Sequence, residues 1–257
     1  MFDVKERINR LLEGNKQKSL LKSVEGETTE EKAQNFFRKI YGYTEIKNNL
    51  FRALVSEEQI NTLLVGSPAG GKSMFMKIIE DSMNDVYYYD ASNSTSAGLI
   101  ESLYQNQDAN IILIDEIGML KRNDIDALRG LLNDGRILKT LKTKRFDFTL
   151  KNIKVFATTN DTDLPRPIRS RFIEYHLLPY TNEEFIECVK FCLSDKFNSE
   201  ISEIIANVFV AHKLKDVRKA ISASRYVLKN DTLEQIVNTV DTMIKNKPPD
   251  HIDYNWR

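Results

Sequence analysis

The segment NTLLVGSPAGGKSMFMKIIE, residues 61–80, constrains this chain more than any other stretch. Gly66, Gly71, Lys72 and Ser73 stand in the pattern G-x-x-x-x-G-K-S, behind an apolar strand and ahead of a helix. Glycines let the backbone curl until its N–H groups face an anion, and the N-terminus of the following helix adds positive potential. The reading is a phosphate-binding loop built from Gly66, Ser67, Pro68, Ala69, Gly70, Gly71, Lys72, Ser73 and Met74. Lys72 is placed to reach the outer phosphates, and the Ser73 hydroxyl to ligate Mg²⁺. Such a loop hangs from the carboxyl edge of a parallel sheet, so an α/β fold is expected.

The rest of the chain supplies that frame. Short apolar runs at 61–65, 86–89, 111–115, 153–158 and 172–177 alternate with amphipathic stretches that start near 45, 71, 97 and 123. From 181 the strands stop, and helical spacing runs through 182–197, 199–213, 215–229 and 232–246. TNEE at 181–184 is a helix start, with Thr181 or Asn182 as cap. The expected division is a charged helical arm over 1–35, an α/β domain over 36–180, a helical domain over 181–246 and an irregular tail over 247–257. With 41 % hydrophobic residues the chain can bury a core; its net charge is zero, so any nucleic-acid surface must be a local patch. The longest apolar runs are too short to span a bilayer, and the first sixteen residues lack the apolar stretch of a signal peptide. A cytoplasmic location is expected, with no membrane partner.

Two further strands end in chemistry-bearing groups. IILIDEIGML reads as a buried central strand with two carboxylates at its end. Asp115 is placed to hold a Mg²⁺ shell, and Glu116 to polarise a water for attack on a terminal phosphate. IKVFATTND is a third apolar strand ending in polar residues, and Asn160 is its candidate for contact with that water or phosphate.

In this order the motifs resemble the AAA+ ATPase superfamily. By that resemblance Gly66–Ser73 is Walker A, Ile111–Glu116 is Walker B and Asn160 is sensor 1. LPRPIRSRFIEYHL resembles the family's arginine-finger box, with Arg171 as first choice and Arg169 as second; with Arg166, three arginines fall within six residues. LKDVRKAI resembles sensor 2, with Arg218 on a lid helix. IYGYTEIKNNLFRAL resembles the segment that closes over adenine, here Ile40 to Ile46 with Tyr41, Gly42 and Tyr43. The resemblance spans roughly residues 36–245. It implies a three-layer αβα P-loop domain with a small all-α lid, ATP and Mg²⁺ as cofactors, ATP hydrolysis, and a homo-oligomeric ring with a finger acting in trans, a hexamer being the first expectation.

GRILKTLKTKRFDFTL, residues 135–150, has near-alternating apolar residues, among them Ile137, Leu138, Leu141, Phe146, Phe148 and Leu150, and a basic tip of Lys142, Thr143, Lys144 and Arg145. It reads as a β-hairpin ahead of the sensor 1 strand. Between 136 and 151 six cations face one acid, Asp147. Such a surface suits a phosphate backbone; exposed hairpins also carry lysine simply to blunt edge pairing. The segment after the second strand, DASNSTSAG, offers Ser92, Asn93, Ser94, Thr95 and Ser96 where protein unfoldases of the superfamily carry an aromatic step, which weighs against polypeptide threading. These small residues suit phosphates or a helix cap equally. Cys188 and Cys192 share one helical face and read as core residues, without a metal.

Two functional readings follow. The basic hairpin and IRSRF resemble RuvB-type motors, which implies an ATP-driven DNA translocase or helicase component. The upstream segment and RFIEYHLLPYT resemble the MCM and MoxR branches, and a MoxR-like member remodels a protein complex, with the N-terminal arm as the partner contact. The winged-helix DNA-binding domain of RuvB finds no room after the lid, so a partner is expected to supply DNA contacts.

Overall fold

A computed structural model describes residues 27–246, apart from 69, 94, 121, 141–143 and 161–163. Ala69 of the loop, Lys142 of the hairpin tip, the arm before 27 and the tail after 246 lie outside the described residues. The chain divides into two compact units between Leu177 and Leu178.

The first unit holds α1 (Thr29–Phe36), α2 (Thr44–Val55), β1 (Ile60–Gly66), α3 (Lys72–Ser82), β2 (Val86–Asp90), α4 (Ser96–Gln105), β3 (Ile111–Asp115), α5 (Arg122–Asp134), β4 (Arg136–Thr140), β5 (Arg145–Thr149), β6 (Lys154–Thr159), α6 (Arg166–Arg169) and β7 (Ile173–Leu177). Five strands form one parallel sheet in the order β2-β3-β6-β1-β7. Every residue of β6 is buried, as are the first four of β3, which is why β3 reads as an unbroken apolar run rather than an alternating one.

The pleat sends alternate residues to two cores. Leu63, Val65, Ile112, Ile114, Val155 and Ala157 pack against α4, α5 and the hairpin β4–β5. Leu64, Ile111, Leu113 and Phe156 pack against α1, α2 and α3. The result is the three-layer α/β fold that the phosphate loop demands.

Two expectations need correction here. Residues 29–36 are not part of an arm but a helix of the second core: Ala33 is fully buried, and Thr28 and Glu31 form a capping box. The high charge of TTEEK hid its single apolar face; the acids serve the helix N-terminus instead. The hairpin is antiparallel as expected, with Arg136 opposite Thr149, but Leu138 is 54 % exposed while Ile137 and Phe146 are buried. Only one face of a two-stranded ribbon can meet the core.

The second unit contains α7 (Asn182–Leu193), α8 (Ser199–Ala211), α9 (Val217–Ala223) and α10 (Leu233–Lys245) around one apolar core that includes Phe185, Val189, Ile205, Phe209 and Ile236. Thr181 with Glu184 and Thr232 with Gln235 form capping boxes, and Asn198 caps α8. These caps fix the helix starts within two residues of the expected ones; the helices are shorter chiefly at their C-terminal ends, Leu193 against 197 and Ala223 against 229. No described helix is long and apolar enough to cross a membrane.

Candidate nucleotide site

The ends of β1, β6 and β3 lie side by side, because β6 pairs with both of the others. Gly66 closes β1 in a tight place: a Cβ there would stand 2.7 Å from the Leu177 carbonyl oxygen of β7, so only glycine fits. Gly71 then adopts φ +88° and starts α3, whose first turn has no side-chain cap. The positive end of that helix fits an anion. The Ser73 hydroxyl is exposed and makes no hydrogen bond among the described residues. Met74 is 44 % exposed beside it.

Lys72 is 4 % exposed. Its Nζ donates to the Gly66 and Ser67 carbonyls at 2.8 and 2.9 Å and to Asn160 Oδ1 at 2.7 Å. Asn160 in turn donates from Nδ2 to Glu116 Oε1 at 2.5 Å. A continuous chain of hydrogen bonds therefore runs from the loop lysine across the end of β6 to the carboxylate after β3. Glu116 takes a left-handed backbone, φ +53°, and its N–H donates to Thr158 Oγ1 at 3.0 Å. The carboxylate of Asp115 accepts from Thr158 Oγ1 on one oxygen and from Tyr88 OH, at 2.9 Å, on the other. Burial and this bond beside two acids, Asp115 and Asp90, raise the Tyr88 hydroxyl above its ordinary value of 10.0. Thr158 and Tyr88 belong to none of the sequence motifs; a threonine inside an apolar strand, two residues before Asn160, was the available signal for the first.

The donor set at this edge is a carboxylate, Asp115, and a hydroxyl, Ser73. Both are hard oxygen ligands, which fits Mg²⁺ and excludes the softer metals that want thiolate or imidazole.

Further from the loop, Ile40 to Tyr43 form a turn in which Gly42 and Tyr43 are left-handed, at φ +68° and +53°. Lys47 holds both ends of it, with its N–H on the Tyr43 carbonyl at 2.9 Å and its buried Nζ on the Ile40 carbonyl at 2.6 Å. The Tyr43 ring lies 6.3 Å from that of Phe75, in the first turn of α3. The turn thus packs on the helix that carries the loop.

The arginine box divides. Arg169 makes a bidentate pair with Glu174, Nε to Oε1 at 2.5 Å and a terminal nitrogen to Oε2 at 2.7 Å. The guanidinium holds the Glu174 carboxyl below its ordinary value of 4.5. Arg171 donates to the Pro167 carbonyl, and its buried Nε has no partner. Arg171 lines a cavity of about 330 Å³ together with Arg129 and Arg136. Arg166 is exposed. In the second unit, Arg218 is the second residue of α9, its side chain 70 % exposed and its Nε 3.8 Å from Asp216.

Residues 62–180 match the family described as the ATPase family associated with various cellular activities (AAA). The match covers 119 of the 257 residues. The match starts inside β1 and ends just past β7, so it encloses the loop, both carboxylates, Asn160 and the arginine box. Outside it lie the Ile40–Tyr43 turn and nearly all of the second unit. The chain is also 26 % identical over 219 residues to a proteasome-activating nucleotidase of Saccharolobus islandicus, covering 76 % of this chain and 55 % of that protein. It is 27 % identical over 197 residues to the proteasome-activating nucleotidase of Saccharolobus solfataricus, covering 67 % of this chain and 49 % of that protein. The chain spans about half the length of the curated relatives it matches. Neither is a DNA motor by name.

Proposed function

We propose that the AAA domain hydrolyses ATP in a homo-oligomeric ring and uses the cycle to remodel a protein partner. The observation that carries the hydrolytic reading is the chain from Lys72 through Asn160 to Glu116, which joins the phosphate loop to a carboxylate at hydrogen-bond distances. The loop backbone and the N-terminus of α3 receive the phosphates. Lys72 leaves the Gly66 and Ser67 carbonyls for the outer phosphates, and Asn160, released from it, orients the attacking water. Glu116 accepts the proton of that water. Ser73 and Asp115 hold Mg²⁺, which neutralises charge on the phosphates. The Ile40–Tyr43 turn, with Tyr41 and Gly42, meets the base.

Arg171 is the residue offered to the neighbour's site. Its unpartnered Nε and the cationic cavity around it support this. Arg169 is a poorer finger, since both its arms are engaged by Glu174 within the chain. An arginine finger contributes about 10³–10⁵ to turnover, so a lone subunit should be nearly inactive. The protein-partner reading draws on the relatives' names, while the 90–96 segment weighs against polypeptide threading. There Ser92 and Asn93 close onto the Asp90 carboxylate and Thr95 caps α4, so the work is done without an aromatic grip.

The test is steady-state ATPase activity of wild type, Glu116→Gln, and a mixture of Lys72→Met with Arg171→Ala. Glu116→Gln should bind ATP and turn over at least about a hundredfold more slowly. The mixture should regain activity that neither variant has alone; failure to complement at any ratio rejects the trans assignment. A second reading, a motor on single-stranded or duplex DNA, rests on Arg145 and Lys151, both exposed and without a side-chain partner among the described residues. Stimulation by DNA that falls with salt would favour it.

A further inference from the structure

Tyr88 stands outside every motif of the nucleotide site, yet its hydroxyl touches the carboxylate on which Mg²⁺ depends. It lies in the middle of β2, the edge strand, in register with Leu113 of β3. From there it reaches two residues along β3 to Asp115 Oδ2, at 2.9 Å. Thr158 approaches Asp115 Oδ1 from β6, on the other side of β3. The carboxylate is therefore gripped from both flanking strands, one oxygen by each. An aspartate has two side-chain torsions, and two donors on opposite sides fix both. The fold does not require a hydroxyl at position 88: the ring is 38 % exposed, and the buried tyrosine of this strand is Tyr89.

We propose that Tyr88 is a positioning residue for the metal, its hydroxyl acting with Thr158 to hold the Asp115 carboxylate in the orientation that Mg²⁺ needs. The inference rests on the nucleotide reading above. Outer-shell partners of this kind are ordinarily worth about 10–100-fold in metal affinity. A surface hydrogen bond with no such role would alter thermal stability slightly and leave metal dependence untouched.

The experiment is a Mg²⁺ titration of fluorescent ADP binding, with a parallel measurement in EDTA. Tyr88→Phe should raise the half-saturating Mg²⁺ concentration about tenfold. Its metal-free ADP affinity and its melting temperature should match wild type. Thr158→Val should raise the Mg²⁺ requirement as well. An unchanged Mg²⁺ requirement in Tyr88→Phe overturns the proposal, and so does a lower one, which would mean that the hydroxyl competes with the metal. Asp115→Ala separates the two levels of the argument. If that variant keeps the wild-type Mg²⁺ dependence, the metal assignment itself is wrong; if it loses it while Tyr88→Phe does not, only the role of Tyr88 falls.

Discussion

Lys72 and the cations of the hairpin carry the same charge in the same unit and end in opposite surroundings. Lys72 is buried, with its ammonium on three oxygen acceptors at the sheet edge. Arg136 pairs with Asp147 across the ribbon at 3.2 Å, both side chains about half exposed. Lys144 lies over the rings of Tyr104 and Phe146, 4.9 and 4.8 Å from their centroids. Those rings are in turn packed edge-on, so the base of the hairpin is clamped to α4. A count of positive residues along the chain treats these cations alike. What separates them is the partner each one finds: desolvation with charge-assisted bonds makes Lys72 part of a site, while a solvated ion pair and a ring contact mostly tidy a surface.

The largest expected effect tests the buried side of this contrast. Lys72→Met should weaken nucleotide binding about a hundredfold, which is the loss of a charge-assisted hydrogen bond of about 3 kcal/mol. A fluorescent-nucleotide titration checks it, and a change under threefold would mean that the loop does not use its lysine. Next is the hairpin's root. Gly135 has φ +73°, and a Cβ there would stand 2.2 Å from the Leu150 carbonyl oxygen. Gly135→Ala should destabilise the first unit by about 2 kcal/mol and lower its melting temperature by about 6 °C. Lys144→Ala should cost only about 0.5–1 kcal/mol, the worth of an exposed cation–π contact. If it instead abolished DNA-stimulated turnover without changing the melt, the hairpin would belong with the site after all.

The smallest effect is a pH effect, and it follows from Glu174. Its folded pKa lies below the ordinary 4.5, chiefly through the Arg169 hydrogen bond. The group therefore adds stability that is fully present above pH 4.5 and is lost as the pH falls through the folded value. Glu174→Gln should flatten that part of the acid limb of a stability–pH curve.

The central strands β3 and β6 were legible because they are buried on both faces. The expected runs at 61–65, 86–89 and 111–115 differ from β1, β2 and β3 by at most one residue at each end. The end of β1 at Gly66, the start of α3 after Gly71 and the end of β3 at Asp115 were legible because a phosphate-loop spacing fixes where strand gives way to helix. Contacts between strands were not. Tyr88 reaches Asp115 across a register that only the folded sheet defines, and Arg169 meets Glu174 because α6 ends in a turn that brings β7 back. Helix α1 was missed since its only apolar residues are Ala33 and Phe36, with Phe37 just beyond its end.

Glu116 shows what the site asks of the fold. An L-residue in the left-handed region carries a strain of about 1–2 kcal/mol that glycine escapes, and Glu116 carries it at φ +53°. Selection for heat resistance alone would drift toward glycine there and discard the carboxylate. On the role proposed for Glu116, that carboxylate persists only where turnover is under selection, so position 116 would record whether a descendant of this chain still turns over or survives as a scaffold.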